Sequence, residues 1–400
     1  MNKSINRRNF LRISAVAGAG AAFLPKSVSA GAIQPVDVKS DVKKETEISV
    51  RTLGKTGIEI PILSMGVMRA DNPSVLRAAY NSGIKHFDTA HGYQEGKNEE
   101  MCGNFFKDKP RDSFIISTKI HFNYPLKDNF EKEMDDNLAL SLKRLQMDYV
   151  DIFYLHAVKD NEALTEKRVI EWLEKIKKEG KAKFTGLSTH AGKPEILDAA
   201  IEANAYDVIL MSYNFKMGRL DQWEVAMDRA VKAGIGLIAM KTMAGGVEGA
   251  DGKKKVNGQA CLKWAWKNSN ITTAIPGFTN YDLLDDCLAA AKSPELTETE
   301  NTYLASLKNT EMMYCQQCNK CEEQCPEHLP IPDLMRVYMY AYGYKHAQLS
   351  KETLNELHLS KDICNSCTNG CKVHCVSGFK VGEKIAAVKP VMDIPYVLLS

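Results

Sequence analysis

The chain has 400 residues, 44% hydrophobic and 26% charged, proportions of a globular protein rather than a disordered or fibrous one. Its 52 basic and 50 acidic residues nearly cancel, to a formal net charge of +2, which argues against a nucleic-acid or anionic-surface partner. At roughly 150 residues per domain the length allows two or three domains, and a barrel can exceed that size as one.

Residues 1–30, MNKSINRRNFLRISAVAGAGAAFLPKSVSA, have the layout of a cleavable signal. A basic stretch holds Arg7 and Arg8, a weakly apolar stretch covers 13–24, and Val28, Ser29 and Ala30 offer a small-residue cleavage site. The paired arginines before Asn9, Phe10 and Leu11 resemble a twin-arginine signal, a route that carries proteins already folded. The apolar stretch is shorter than the roughly 20 residues a membrane span needs, so a periplasmic protein is expected, not an integral membrane one. Residues 31–46 are polar and read as a linker.

The segment 47–61, EISVRTLGKTGIEIP, reads as a hairpin turning at Lys55, Thr56 and Gly57, placed to plug the lower end of a barrel built from the residues after it. Eight short β-branched runs recur along those residues: 62–67, 86–90, 114–119, 150–156, 184–188, 208–213, 235–241 and 272–276. Amphipathic stretches at 127–146, 164–180, 193–204 and 220–233 alternate with them, and Gly83, Gly180 and Gly234 sit where helices should stop. Alternation of this kind predicts a parallel sheet, and eight repeats predict a closed (β/α)8 TIM barrel over 47–292.

Such barrels place their chemistry at the C-terminal ends of the strands. There the sequence puts Asp88, Lys119 and His156 on three consecutive strands, with Tyr93 in the loop after Asp88. One Asp at a strand end is usually a helix cap and one His is usually packed, but the coincidence of four points to chemistry. A lysine cation beside a tyrosine makes the phenol a readier proton donor. An aspartate pairing the lysine holds it in place, and a histidine at the rim orients a carbonyl oxygen. That set protonates a carbonyl oxygen while hydride arrives at carbon, and the hydride must come from a cofactor.

The motifs FDTAHGY (87–93), STK (117–119), LH (155–156), GLSTH (186–190) and IPG (275–277) resemble those of the aldo-keto reductase family, collinearly over residues 50 to 290. The resemblance implies the tetrad Asp88, Tyr93, Lys119 and His156, with Tyr93 as general acid/base, and an NADP(H) or NAD(H) cofactor. It implies cofactor contacts from Ser188, Thr189, Met240, Lys241, Gly277, Phe278 and Thr279. Thr189 stands where the family usually has asparagine, Leu210 where it has glutamine, and Gly277 and Leu283 where cations often grip the 2′-phosphate, so NADP and NAD both stay open. The substrate is expected to be a small carbonyl or alcohol: a sugar, ketone or quinone. His91, His121 and Tyr124 lie in loops that should overhang the site.

Beyond the barrel, residues 293–400 read as a helical extension, with helices expected at 296–309, 333–345 and near 350–360. It carries eight of the eleven cysteines. Cys315, Cys318, Cys321 and Cys325 form C-x2-C-x2-C-x3-C-P, and Cys364, Cys367, Cys371 and Cys375 form a looser second set. Disulfides suit an exported chain but not C-x2-C loops, and zinc sites usually come as two separated C-x2-C pairs. The compact run closed by proline matches a bacterial ferredoxin ligand pattern, so two [4Fe–4S] clusters are expected. In two-cluster ferredoxins the fourth cysteine of a run ligates the other cluster, which leaves open whether Cys325 and Cys375 cross over. The helical spacer resembles the ferredoxin-like domain attached to some reductases of the family. The whole reads as an exported oxidoreductase, with clusters that relay electrons between the barrel site and a redox partner protein or only shape the tail and cover the active site. The alternatives are a non-enzymatic iron–sulfur electron carrier on a retired barrel, and a reductase with a purely structural, zinc-bound tail.

Overall fold

The computed structural model describes residues 47–245, 256–307, 315–360, 363–364, 367, 370–376 and 378–395. The predicted signal and linker, 1–46, lie outside them. The first strands, β1 (Val50–Thr52) and β2 (Glu59–Pro61), pair antiparallel. The turn between them begins one residue before the expected position, as a 3-10 turn over Gly54–Thr56 closed by Gly57 at φ +69°. Lys55 donates its backbone N–H to Gly234 O at 2.7 Å, and a Cβ on Gly54 would lie 2.4 Å from that oxygen. Glycine is therefore required where the hairpin seals the N-terminal end of the barrel.

Eight parallel strands come next, in sheet order: β3 (Met65–Gly66), β4 (His86–Asp88), β5 (Ile115–Ile120), β6 (Val150–Leu155), β7 (Ala182–Thr189), β8 (Val208–Ser212), β9 (Gly236–Met240) and β10 (Ile271–Ala274). Every residue of β6, β8 and β9 is buried, as parallel strands covered on both faces require. The first and last strands close the ring: Ser64 N–H donates to Ala274 O at 2.9 Å and Gly66 N–H to Pro276 O at 3.0 Å. Inside, Leu53, Ile60, Ile152, Tyr154, Val208, Leu210 and Ile238 fill the barrel. Outside, a larger core packs the strands against the helices α1 (Pro73–Asn81), α2 (Lys97–Phe106), α3 (Phe130–Leu145), α4 (Asn161–Thr165), α5 (Lys167–Lys178), α6 (Glu195–Ala203), α7 (Leu220–Lys232), α8 (Gly258–Lys267) and α9 (Tyr281–Lys292). The closed (β/α)8 barrel is therefore as the repeat predicts.

The helix expected over 296–309 is α10 (Glu298–Ser306), started by a capping box between Thr297 and Glu300. The helix expected over 333–345 begins earlier, as α11 (Ile331–Tyr338), because Pro332 suits a first turn. It ends in a π turn over Met339–Gly343, and α12 (Ala347–Glu356) comes after it. A last helix, α13 (Val381–Asp393), was not expected, since Pro390 argues against a helix interior. Its buried Val381, Ile385, Val388 and Val391 join Ile331, Leu334 and Val337 in a core separate from the barrel's, and that packing outweighs the proline. Barrel and extension belong to one compact unit, Thr46–Ser400. Among the described residues no helix is long and apolar enough to cross a membrane.

Candidate active site

Strand ends bring the four expected residues together. Lys119, on β5, lies one strand from Asp88, on β4, and its Nζ is 2.6 Å from Asp88 Oδ2. Both side chains are almost wholly buried, at 2% and 3% exposure. Lys119 also donates to Thr89 O at 2.6 Å, and its Nζ stands 3.5 Å from the Tyr93 hydroxyl. Ser117 donates to the other carboxylate oxygen of Asp88 at 2.7 Å, so the carboxylate cannot swing away. Burial pulls the Lys119 ammonium below its usual range, and Asp88 is the leading influence that opposes this.

Tyr93 stands on a backbone that Gln94 and Glu95 hold in the left-handed region, at φ 52° and 55°. Gln94 Nε2 ties that turn to Met68 O and Ala70 O, both at 3.3 Å, and Asn98 Nδ2 bonds Val67 O at 2.8 Å. These bonds offset the backbone strain and fix where the phenol points. The His156 ring meets Tyr93 edge-on at 5.7 Å and stacks on His121 at 3.9 Å. Burial, then His121 and Lys119, keep the His156 imidazole well below its usual titration range, so it is neutral at pH 7.

The four groups open into a cavity of about 710 Å³. Of the cofactor residues implied by resemblance, Ser188, Met240, Lys241 and Gly277 line it, as do Leu210 and Leu283. Thr189, Phe278 and Thr279 do not. Thr189 spends its hydroxyl on Val158 O and the Ala191 N–H, and Phe278 is fully buried in the barrel core. Of the loop residues, His121 lines the cavity, whereas His91 is bonded to Ser141 at 2.9 Å and Tyr124 packs against the core.

The cavity has a roof from the extension, as the reading in which the tail covers the active site expects, but the residues that form it are not marked in the sequence. Arg336 on α11, Tyr340 and Tyr342 to Lys345 around the π turn, and Leu349 on α12 all face it from the extension. The roof is fastened by Lys159 to Asp333 at 2.5 Å and by Arg69 to Tyr344 O at 3.1 Å. Lys241 Nζ lies 3.5 Å from the Tyr340 hydroxyl. His190, on the loop after β7, also faces the cavity and bonds Ser212 at 3.0 Å. The motif containing His190 is visible in the sequence, but nothing local marks Arg336 or Tyr340.

None of the eleven cysteines is paired in a disulfide. Among the described residues no three His, Cys, Asp or Glu side chains gather closely enough to hold a single metal ion. Cys318 and Cys375 act on both Cys315 and Cys321, and Cys367, Cys325 and Cys371 act on Cys364, so a cysteine of each motif influences those of the other. Burial first, then Cys321, Cys375 and Cys318, push the Cys315 thiol up to about 12. Cys321 is pushed to about 11 by burial, Cys375 and Cys318. Cys364 is raised by burial and then by Cys367, with smaller effects of Cys325 and Cys371. The Gln317 N–H points at Cys315 Sγ at 3.4 Å. The first loop rests on the barrel rim: Gly192 N–H donates to Gln317 O at 3.3 Å and Gly218 N–H to Gln316 Oε1 at 3.2 Å. A Cβ on Gly192 would come within 2.0 Å of Gln316 O, so only glycine admits the loop there.

The sequence signature of the aldo/keto reductase family matches residues 63–257, and that of a twin-arginine translocation signal matches residues 4–23. The chain is 29% identical over 222 residues to L-glyceraldehyde 3-phosphate reductase of Escherichia coli K12, covering 50% of this chain and 63% of that protein. It is 28% identical over 224 residues to probable aldo-keto reductase 1 of Glycine max, covering 52% and 63%. The matched region thus spans less than two thirds of these relatives. In three dimensions it resembles an aldo-keto reductase of Bacillus halodurans in its holo form, at TM-score 0.55 and 20% identity, covering 68% of this chain and 100% of that one. A putative aldo-keto reductase of Pseudomonas aeruginosa superposes at TM-score 0.52 and 21% identity, covering 64% and 99%. At these identities the structural likeness speaks for the fold alone.

Proposed function

Because residues 63–257 are an aldo/keto reductase family domain carried behind a twin-arginine signal, we propose that the protein is an exported, periplasmic oxidoreductase that interconverts a small carbonyl compound and its alcohol with NADP(H) or NAD(H). The observation that carries this is the buried chain from Asp88 to Lys119 to Tyr93, at 2.6 Å and 3.5 Å, with His156 beside the phenol. A nicotinamide nucleotide fits the cavity beside it. Ser188 accepts the Ala157 N–H at 2.9 Å, leaving its own O–H to donate to a carboxamide oxygen, while Met240, Lys241 and Gly277 line the same wall. When bound, the nucleotide supplies or accepts the hydride. Tyr93 donates its proton to the carbonyl oxygen. The Lys119 cation favours the phenolate left behind, and Asp88 keeps that cation charged and in place. Neutral His156 donates one N–H to the same oxygen and steers it toward Tyr93. The roof from the extension excludes water, which strengthens each of these interactions.

The cysteines suit two [4Fe–4S] clusters better than two zinc ions. Zinc sites usually come as two separated C-x2-C pairs, whereas the compact run Cys315, Cys318, Cys321 and Cys325 closed by Pro326 follows a bacterial ferredoxin ligand pattern. Cys315, Cys318 and Cys321 with Cys375 would hold one cluster, and Cys364, Cys367 and Cys371 with Cys325 the other. Such clusters supply one-electron transfer. The chain seats the first cysteine loop on the rim at Gly192, two residues from His190 in the cavity wall. It leaves Cys371 and Val376 exposed, a place for a redox partner to dock. Iron and acid-labile sulfide in anaerobically purified protein distinguish this from a zinc-bound tail. Loss of nucleotide-dependent carbonyl reduction in Tyr93→Phe, with nucleotide binding kept, tests the barrel assignment; unchanged turnover refutes it.

A further inference from the structure

The cavity carries more cations than the proposed chemistry uses. Arg69, Lys119, Lys241, Arg336 and Lys345 all face it. Only Lys119 has its charge matched by a catalytic carboxylate, that of Asp88. Of the other acids on its walls, Asp286 stands beside Cys287 on α9, and Glu352 takes a hydrogen bond from Gln348 at 2.9 Å.

Arg336 is the unusual member. It comes from the extension, and its side chain is only 13% exposed. Its neighbour Asp333, 3.2 Å away, is shared with Lys159 at 2.5 Å, so one carboxylate serves two cations. Arg336 Nη2 is buried without a hydrogen-bond partner of acceptable geometry. Nη2 is the atom that faces Asp333 Oδ1, an ion pair without hydrogen-bond alignment, so a carboxylate in the cavity would give this buried charged donor a better-aligned acceptor. Its surroundings place it centrally. After burial, Arg336 is the largest influence lowering His121, His190 and Lys241, groups on three different strand ends. It also acts on His156.

Arg69 stands on the nucleotide's side: its Cβ is 4.0 Å from where a Cβ on Gly277 would sit, on the wall assigned to the nucleotide. Arg336 stands instead toward the histidines that surround Tyr93. We propose that Arg336 is a specificity-determining residue that, with His121 and His190, receives the carboxylate of an anionic carbonyl substrate, an oxo acid or its hydroxy acid, beside Tyr93 and His156. This rests on the carbonyl-reductase assignment and names its substrate class. A guanidinium fork is the group that pairs a carboxylate bidentately, and the two imidazoles offer further donors without adding charge at neutral pH.

The test uses the full, cluster-loaded chain under anaerobic conditions with NADP+ present. Benzoate and benzamide, equal in shape and different in charge, are titrated by calorimetry. Benzoate is expected to bind about 10- to 100-fold tighter than benzamide, the range for charge-assisted hydrogen bonds. Arg336→Gln is expected to abolish the preference and leave NADP+ affinity within about twofold, and Arg336→Lys, a charge without a fork, to keep part of it. Equal binding of the two probes to the wild-type chain overturns the proposal, as does a preference that survives in both variants. Reduction of phenylglyoxylate and its methyl ester is measured alongside. If the ester is reduced at least as well as the acid and benzoate shows no preference, the reductase assignment stands and the carboxylate site falls. If benzoate binds through Arg336 and neither carbonyl is reduced, the site stands and the reductase assignment falls.

Discussion

Asp88→Asn isolates the charge at the centre of the site with almost no change of shape. Asparagine can still accept from Ser117, which bonds Asp88 Oδ1 at 2.7 Å, but it turns a neutral amide toward Lys119 Nζ, 2.6 Å away in the native pair. Both native side chains are at most 3% exposed, so the ammonium is left buried without its counter-charge, at a cost of about 3–5 kcal/mol. The titration of Lys119 sharpens this. Burial already lowers it, and Asp88 is the main influence holding it up, so the substitution lowers it further. Over the pH range in which the folded variant has lost this proton while the folded wild type and the unfolded chain keep it, the deficit shrinks as pH rises, by at most about 1.4 kcal/mol per unit. Urea unfolding followed by tryptophan fluorescence reads the barrel directly, because all four tryptophans, at 172, 223, 264 and 266, lie in it. Turnover is expected to drop at least about 100-fold, since Tyr93 loses the cation beside it. A variant within about 1 kcal/mol of wild type at pH 7, or a deficit that does not change with pH, refutes the ion-pair account.

Other perturbations address separate parts of the molecule. Tyr93→Phe is expected to cut carbonyl reduction by about 10²- to 10⁴-fold while nucleotide affinity holds, checked by steady-state kinetics and nucleotide titration. His86 is wholly buried and lowered to about 4 by burial, with Asp88 opposing, so stability is kept above pH 6.5 and lost as pH falls from 6.5 toward 4, by about 1.4 kcal/mol per unit. His86→Gln should flatten that slope in unfolding measured at pH 7, 6 and 5. Gly192→Ala drives a methyl toward Gln316 O, 2.0 Å from the ideal position, and is expected to loosen the first cysteine loop, seen as faster loss of cluster absorbance in air. Cys375→Ser is expected to alter the paramagnetic signal of the cluster on Cys315, Cys318 and Cys321; a change confined to the other cluster would exclude the crossed arrangement.

Strands such as 150–155 and 208–212 were legible because both faces are buried and, apart from Asp151 and Ser212, the residues are apolar, a pattern that needs no tertiary information. Asp88, Lys119 and His156 were legible because a parallel barrel carries its strand ends to one rim. The extension was harder. Pro390 masks α13, whose helix depends on a core shared with α11. The roof over the site joins residues far apart in the chain, Arg69 with Tyr344 and Lys159 with Asp333, and no local spacing encodes such contacts. Thr189 sits one residue from cavity-lining Ser188 on β7, and a strand's alternation turns neighbours to opposite faces.

Transfer of the isotope from nicotinamide nucleotide deuterated at the hydride position tests the central claim most directly. The full chain, purified anaerobically, is given deuterated cofactor and a carbonyl substrate, and the alcohol is analysed by mass and by NMR. Deuterium on the carbinol carbon in wild type, at a rate that collapses in Tyr93→Phe, is the predicted result. Alcohol formed without deuterium at that carbon, or deuterium transfer that is indifferent to Tyr93, would contradict it.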